Sequence, residues 1–107
     1  MSRSASRPTL AFTFSRSEKM VGRKIGDEFV LVPLAGRGVD LDSILNLNRV
    51  AAFVWEELDG ETTGERVVDK VVSRFDVDRE RAAADYLELV GKLALLGAVL
   101  RSRRSGR

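Results

Sequence analysis

The chain has 107 residues, which is the length of a single domain, and 44% of them are hydrophobic. It contains no Cys and no His, which excludes a disulfide framework, a Cys- or His-ligated metal site and a Ser-His-Asp catalytic triad. The net charge of +2 is unevenly spread: residues 1–16 and 101–107 hold seven arginines and no acid, whereas residues 17–100 hold 16 acidic and 11 basic residues.

The two ends of the chain are polar and rich in arginine. We predict that residues 1–16 form a largely unstructured basic arm, although residues 9–14 alternate well enough for a transient strand. Residues 101–107 are predicted to be an unstructured tail, which leaves residues 17–100 as the folded domain. No apolar run approaches the ~18 residues of a membrane span, and the N-terminal segment lacks the apolar core of a signal peptide. We therefore expect a cytoplasmic protein without membrane segments.

Three strands are predicted in the first half of the domain. Residues 20–25 and 28–34 flank a two-residue turn at Gly26-Asp27, where the glycine supplies the positive φ that hairpin turns need. After a Gly-rich loop, residues 41–47 alternate, with leucines and Ser43 on one face. This period of two residues predicts a third strand.

After the third strand the apolar period changes to about 3.6 residues, which predicts three helices. Asn48 is the predicted N-cap of the first helix, and Thr62 with Glu65 forms a capping-box pattern before the second. Asp78 is the predicted cap of the third helix, which Gly97 closes. Strands followed by helices predict an α+β fold, a three-stranded antiparallel sheet followed by three helices.

The third predicted helix carries two adjacent apolar stripes, where a helix on a small core needs one. The stripes are Ala83, Leu87, Val90 and Ala94, and Ala82, Tyr86, Leu89, Leu93 and Leu96. Two stripes indicate either burial between other elements or an apolar surface left for a partner. Both alternatives remain open at the level of the sequence.

An ordered set of motifs spans the folded domain. The motifs are ILNLN (44–48), AAFVWEELDGET (51–62), FDVD (75–78) and LGAV (96–99). In this order and spacing they resemble the PqqD-like family, the peptide-binding domains called RiPP recognition elements. The resemblance implies a winged-helix-like domain that holds a ribosomally made precursor peptide and presents it to a maturation enzyme, often a radical SAM protein. It implies no cofactor and no catalytic residue of the domain's own.

The resemblance also implies where the peptide binds. The leader segment of the precursor would add as an extra strand along the third strand, with its apolar side chains in a groove against the third helix. The residues implied in peptide binding are Asp42, Ser43, Ile44, Leu45, Asn46, Leu47, Ala83, Tyr86, Leu87 and Val90. We expect Leu47, Trp55, Leu58 and Gly60 to be scaffold residues that identify the fold.

Two features depart from the family pattern. Residues 40–43 read DLDS, where the proteins of pyrroloquinoline quinone synthesis have a Pro-Glu-Gly segment, so we expect a stand-alone relative of those proteins. Leu95 stands where the family often has a polar residue, and it is an alternative candidate for a homodimer surface.

Two other classes of function compete with peptide binding. A winged helix with seven terminal arginines is compatible with nucleic-acid binding, but the third helix presents Asp78, Glu80, Asp85 and Glu88, which phosphates would repel. An enzyme would have to use the paired acids Asp40/Asp42 or Asp76/Asp78, and turn formation and helix capping explain both pairs. The sequence therefore favours a non-catalytic peptide-binding chaperone.

Overall fold

The computed structural model describes residues 9–34 and 44–102, which form two three-stranded antiparallel sheets and three helices. The elements are β1 (Thr13–Arg16), β2 (Met20–Ile25), β3 (Glu28–Pro33), β4 (Leu45–Leu47), α1 (Arg49–Glu57), β5 (Asp59–Thr63), α2 (Gly64–Phe75), α3 (Arg79–Leu95) and β6 (Val99–Arg101). The predicted α+β fold, with a three-stranded antiparallel sheet before three helices, is confirmed.

The first sheet has the strand order β2-β3-β4. Strands β2 and β3 form the predicted hairpin, paired from Met20 opposite Pro33 to Ile25 opposite Glu28, and Gly26 in its turn has a φ of 63°. Strand β4 runs antiparallel to β3, with Leu47 opposite Phe29. Residues 45–47 of the predicted third strand are therefore a strand, while residues 41–43 lie outside the described part of the chain.

The second sheet, in the order β5-β1-β6, was not predicted. Its central strand lies within residues 1–16, so the prediction of an unstructured arm is wrong for residues 13–16. The cause is tertiary: β1 pairs with β5 on one side and β6 on the other, and Phe14 is buried in the core. Arg101 was predicted to belong to the tail, but it lies in β6 and pairs with Phe14 of β1. Residues 1–8 and 103–107 lie outside the described part of the chain.

Side-chain caps begin all three helices. The Asn48 side chain accepts a hydrogen bond from the amide of Ala51 at 2.8 Å, and Asp78 accepts one from Arg81 at 3.0 Å, as predicted. The cap of α2 is Thr63, one residue after the prediction. The reason is that Thr62 belongs to β5 and donates both its amide and its hydroxyl to the carboxylate of Asp59.

The end of α3 is a Schellman motif, which turns the chain into β6. Gly97 has a φ of 74°, its amide donates to the carbonyl of Ala94 at 3.1 Å, and the amide of Ala98 donates to the carbonyl of Leu93 at 2.8 Å. The predicted role of Gly97 is confirmed. None of the described helices combines the length and the apolar character that crossing a membrane requires.

The core joins both sheets to all three helices. Its fully buried members include Leu31 of β3, Val67 of α2 and Val90 of α3, and Trp55 of α1 is 4% exposed. Arg16 links β1 to the end of α1, because its guanidinium donates to the carbonyls of Trp55 at 3.3 Å and Glu56 at 3.0 Å. The second sheet and this arginine therefore fix the helices relative to the first sheet.

Candidate functional site

Strand β4 is the edge of the first sheet. Within the described residues it pairs with β3 alone, so its outer backbone N–H and C=O groups have no strand partner there. An unpaired edge is a template for another extended segment. The open edge expected from the family resemblance is therefore present in the described part of the chain.

A groove of about 400 Å³ runs beside this edge, between β4, α1 and α3. Its lining residues are Leu45, Asn46, Leu47, Asn48, Val50, Ala51, Val54, Val71, Arg81, Ala82, Asp85, Tyr86, Glu88, Leu89 and Lys92. Eight of these fifteen residues are aliphatic, and they come from four elements, β4, α1, α2 and α3. Such a surface can cover the apolar side chains of an extended peptide while the strand edge satisfies its backbone.

The outer lip of the groove consists of four charged residues on α3: Arg81, Asp85, Glu88 and Lys92. Their spacing of four, three and four residues places them along one line of the helix. Arg81 and Asp85 form an ion pair at 3.4 Å. Among the described residues, neither Glu88 nor Lys92 has a salt-bridge partner.

The groove gathers some of the residues that the sequence implied in peptide binding. Leu45, Asn46, Leu47 and Tyr86 line it, and Ile44 lies half-buried immediately before β4. Asp42 and Ser43 lie outside the described residues.

The other predicted residues of α3 do not line the groove. Val90 is completely buried, and Ala83 and Leu87 are half-buried against the core. The face of α3 that meets the groove carries Ala82 and Leu89 beside Tyr86, and each lies about 100° around the helix from its neighbour Ala83 or Val90. The two stripes lie side by side in the sequence, which gives no means of deciding which one faces the core.

Several groove residues come from α1, from which the sequence analysis proposed no peptide-binding residue. Val50, Ala51 and Val54 line the groove, and Asn48 both lines it and caps the helix. The signal available in the sequence was the absence of any loop between β4 and α1. With Asn48 alone between them, the edge strand and the first turn of α1 must lie beside the same groove.

Tyr86 is 2% exposed, and its hydroxyl has no hydrogen-bond partner among the described residues. Burial raises the pKa of Tyr86 from 10 to about 12, because the buried site disfavours the phenolate. As the pH rises above 10, Tyr86 therefore loses its proton in the unfolded chain before it does so in the folded protein. Its contribution to the free energy of unfolding is fully present below pH 10 and is lost as the pH rises to about 12.

Phenylalanine has no hydroxyl to ionise, so we expect the Tyr86→Phe variant to lose less of its free energy of unfolding than the wild type between pH 10 and 12. The difference between a pKa of 10 in the unfolded chain and about 12 in the folded protein corresponds to a change of about 2–3 kcal/mol in the free energy of unfolding. Urea denaturation of both proteins at pH 9 and again near pH 12 measures the component. Because other groups titrate in both proteins, the difference between them isolates Tyr86. Equal losses in wild type and variant would contradict the expectation.

A second, wider cleft of about 880 Å³ lies on the other side of α1. Phe53 and Phe75 meet there edge to face at 5.5 Å, and the guanidinium of Arg74 lies 5.2 Å from the centre of the Phe53 ring. Its strand residues are Lys24 of β2, Glu28 and Phe29 of β3, and Leu47 at the end of β4. This cleft therefore reaches the edge strand only at its last residue, whereas all three residues of β4 line the groove.

Comparisons with known proteins agree with this geometry. The sequence model of coenzyme PQQ synthesis protein D (PqqD) matches residues 28–99, about two thirds of the chain. No curated protein matches the sequence significantly. The structure is similar to that of TbiB1 in complex with the TbiA(beta) leader peptide, with a TM-score of 0.62 and 24% sequence identity, covering 85% of this chain and 98% of TbiB1. At this identity the likeness shows a shared fold.

Proposed function

The chain belongs to the family of coenzyme PQQ synthesis protein D, and on that basis we propose that it binds the leader segment of a ribosomally made precursor peptide. The leader would pair with the outer edge of β4 and place its apolar side chains in the groove between β4, α1 and α3. The domain would act without catalysis of its own, as a chaperone that presents the peptide to a separate maturation enzyme. That TbiB1, which has the same fold, was solved with a leader peptide supports the proposal.

The observation that carries the proposal is the position of the groove directly beside a strand edge that no other described strand pairs with. Main-chain hydrogen bonds to β4 give affinity to any extended segment, and the groove adds selection among side chains. Each apolar side chain that the peptide buries contributes about 1.5–3 kcal/mol before the cost of ordering the peptide. A few such side chains are enough for specific binding.

The charged groups of α3 favour a peptide over a nucleic acid. The guanidinium of Arg79 contacts the carboxylate of Asp69, and Arg81 is paired with Asp85. The terminal arginines are also partly engaged: Arg16 binds the end of α1, and the guanidinium of Arg101 lies 3.6 Å from the centre of the Phe12 ring. The acids beside Arg79 and Arg81 reduce the attraction of α3 to a phosphate backbone.

Peptide display tests the proposal even though the precursor is unidentified. The full chain is used to select from random peptides of about 12 residues, long enough at about 3.3 Å per residue to extend past both ends of β4. We expect enriched sequences that bind saturably at one peptide per chain, measured by fluorescence anisotropy.

The mode of binding is then tested on the peptide, which leaves the protein unchanged. Methylating one backbone nitrogen at a time removes one N–H donor from a selected peptide. Strand addition predicts a loss of affinity at every second position, because alternate amides of an edge strand face its neighbour. Failure to enrich any peptide, or an N-methyl scan without alternation, would overturn the proposal.

A further inference from the structure

The lip of the groove provides a charge pattern that can select among peptides. Arg81, Asp85, Glu88 and Lys92 follow one line of α3 over about 16 Å, the length of about five residues of an extended strand. A peptide in the groove therefore lies alongside all four residues. Only charged side chains that are not already held in an ion pair within the protein can contribute fully to recognition of the peptide.

The two halves of the lip differ in this respect. At one end, Arg81 and Asp85 neutralise each other through their ion pair at 3.4 Å. At the other end, Glu88 and Lys92 are exposed, and neither has a salt-bridge partner among the described residues. One negative and one positive side chain thus remain at the lip, beside Leu89 of the groove wall.

The spacing of these two charges matches that of an extended peptide. Residues four apart on a helix are separated by about 6 Å along its axis, and residues two apart on a strand by about 6.6 Å. Side chains two apart also point to the same side of a strand, and those between them point to the opposite side. A strand can therefore place two charged side chains opposite the lip.

We propose that Glu88 and Lys92 select peptides that carry a basic and an acidic residue two positions apart, the basic one facing Glu88 and the acidic one facing Lys92. This inference rests on the proposed function and adds the chemistry of the peptide that the groove prefers. The order of the two charges along the selected peptide reports the direction of the bound strand.

The test compares display selections on the wild-type chain and on the double reversal Glu88→Lys/Lys92→Glu. Both residues are exposed, so we expect the double variant to fold normally, which circular dichroism checks. The wild type should enrich peptides with one basic and one acidic residue two apart, and the double variant should enrich the reversed order. Exchanging the two charges should weaken binding of a wild-type-selected peptide about threefold to tenfold, less at about 0.5 M NaCl.

The matched control is the double reversal Arg81→Glu/Asp85→Arg at the other end of the lip. Because these two residues already satisfy each other, this exchange should leave the selected charge order unchanged. If peptides are enriched but their charge order is the same on all three proteins, the inference is wrong and the proposed peptide binding stands. If no peptide is enriched on the wild type, the proposed function itself fails.

Discussion

Replacing Leu89 by aspartate is expected to weaken binding of a display-selected peptide at least about tenfold. Leu89 is half-buried on the wall of the groove, where the peptide would cover it. An aspartate at this position has to lose its hydration without gaining a partner when the peptide binds, which costs well over 1 kcal/mol. Fluorescence anisotropy with the labelled peptide measures the loss.

The matched control is Leu95→Asp, which makes the same chemical change on the same helix. Leu95 is 88% exposed and does not line the groove, so we expect its replacement to leave peptide affinity within about twofold. A thermal melt of each variant checks that the fold is intact. Equal losses in the two variants, or no loss for Leu89→Asp in a folded protein, would place the binding surface elsewhere.

The largest effect on stability is expected for Trp55→Ala. Trp55 is 4% exposed and lies where α1 meets the first sheet, with its indole nitrogen 3.1 Å from the position a Cβ on Gly22 would take. Removing a buried tryptophan leaves a cavity and lowers the free energy of unfolding by about 3–5 kcal/mol. Because Trp55 is the only tryptophan, urea denaturation is followed by circular dichroism.

An exposed apolar residue supplies the control for this stability measurement. Ile25 is 60% exposed at the end of β2, and Ile25→Ala should change the free energy of unfolding by no more than about 0.5 kcal/mol. A Trp55→Ala protein that loses less than about 1 kcal/mol would show that the core does not depend on this side chain.

Local sequence patterns were sufficient for the features that local interactions determine. The turn at Gly26, the caps Asn48 and Asp78 and the closing Gly97 each involve residues within a few positions of one another. The second sheet was missed because its strands are short and their partners are distant: Phe14 pairs with Arg101 across most of the chain. Short polar strands of this kind carry little signal of their own, because the partner strand determines whether they form.

The site could be predicted only in part for a related reason. The edge strand followed from the alternation that ends at Leu47 and from the family resemblance. The face of α3 did not, because both of its apolar stripes satisfy the same helical period. Packing divides both stripes: Val90 of one stripe and Tyr86 and Leu93 of the other are buried in the core. Leu89, from the same stripe as Tyr86, lies half-buried on the groove wall.

The second sheet is connected to two of the helices that line the groove. Strand β6 follows the last turn of α3 directly and pairs with β1, and Arg16 of β1 binds the carbonyls at the end of α1. Two of the helices that line the groove are thereby connected to the same strand. A groove whose walls are held in place loses little conformational entropy when a peptide enters, which favours affinity.

Hydrogen exchange of the β4 amides, followed by NMR with and without a display-selected peptide, decides whether a peptide pairs with this edge. An added strand bonds alternate amides, so we predict new protection either at Ile44 and Asn46 or at Leu45 and Leu47, with the other pair unchanged. A peptide that binds saturably but leaves all four amides unchanged, while it protects amides of β2 or β6, would contradict strand addition at β4.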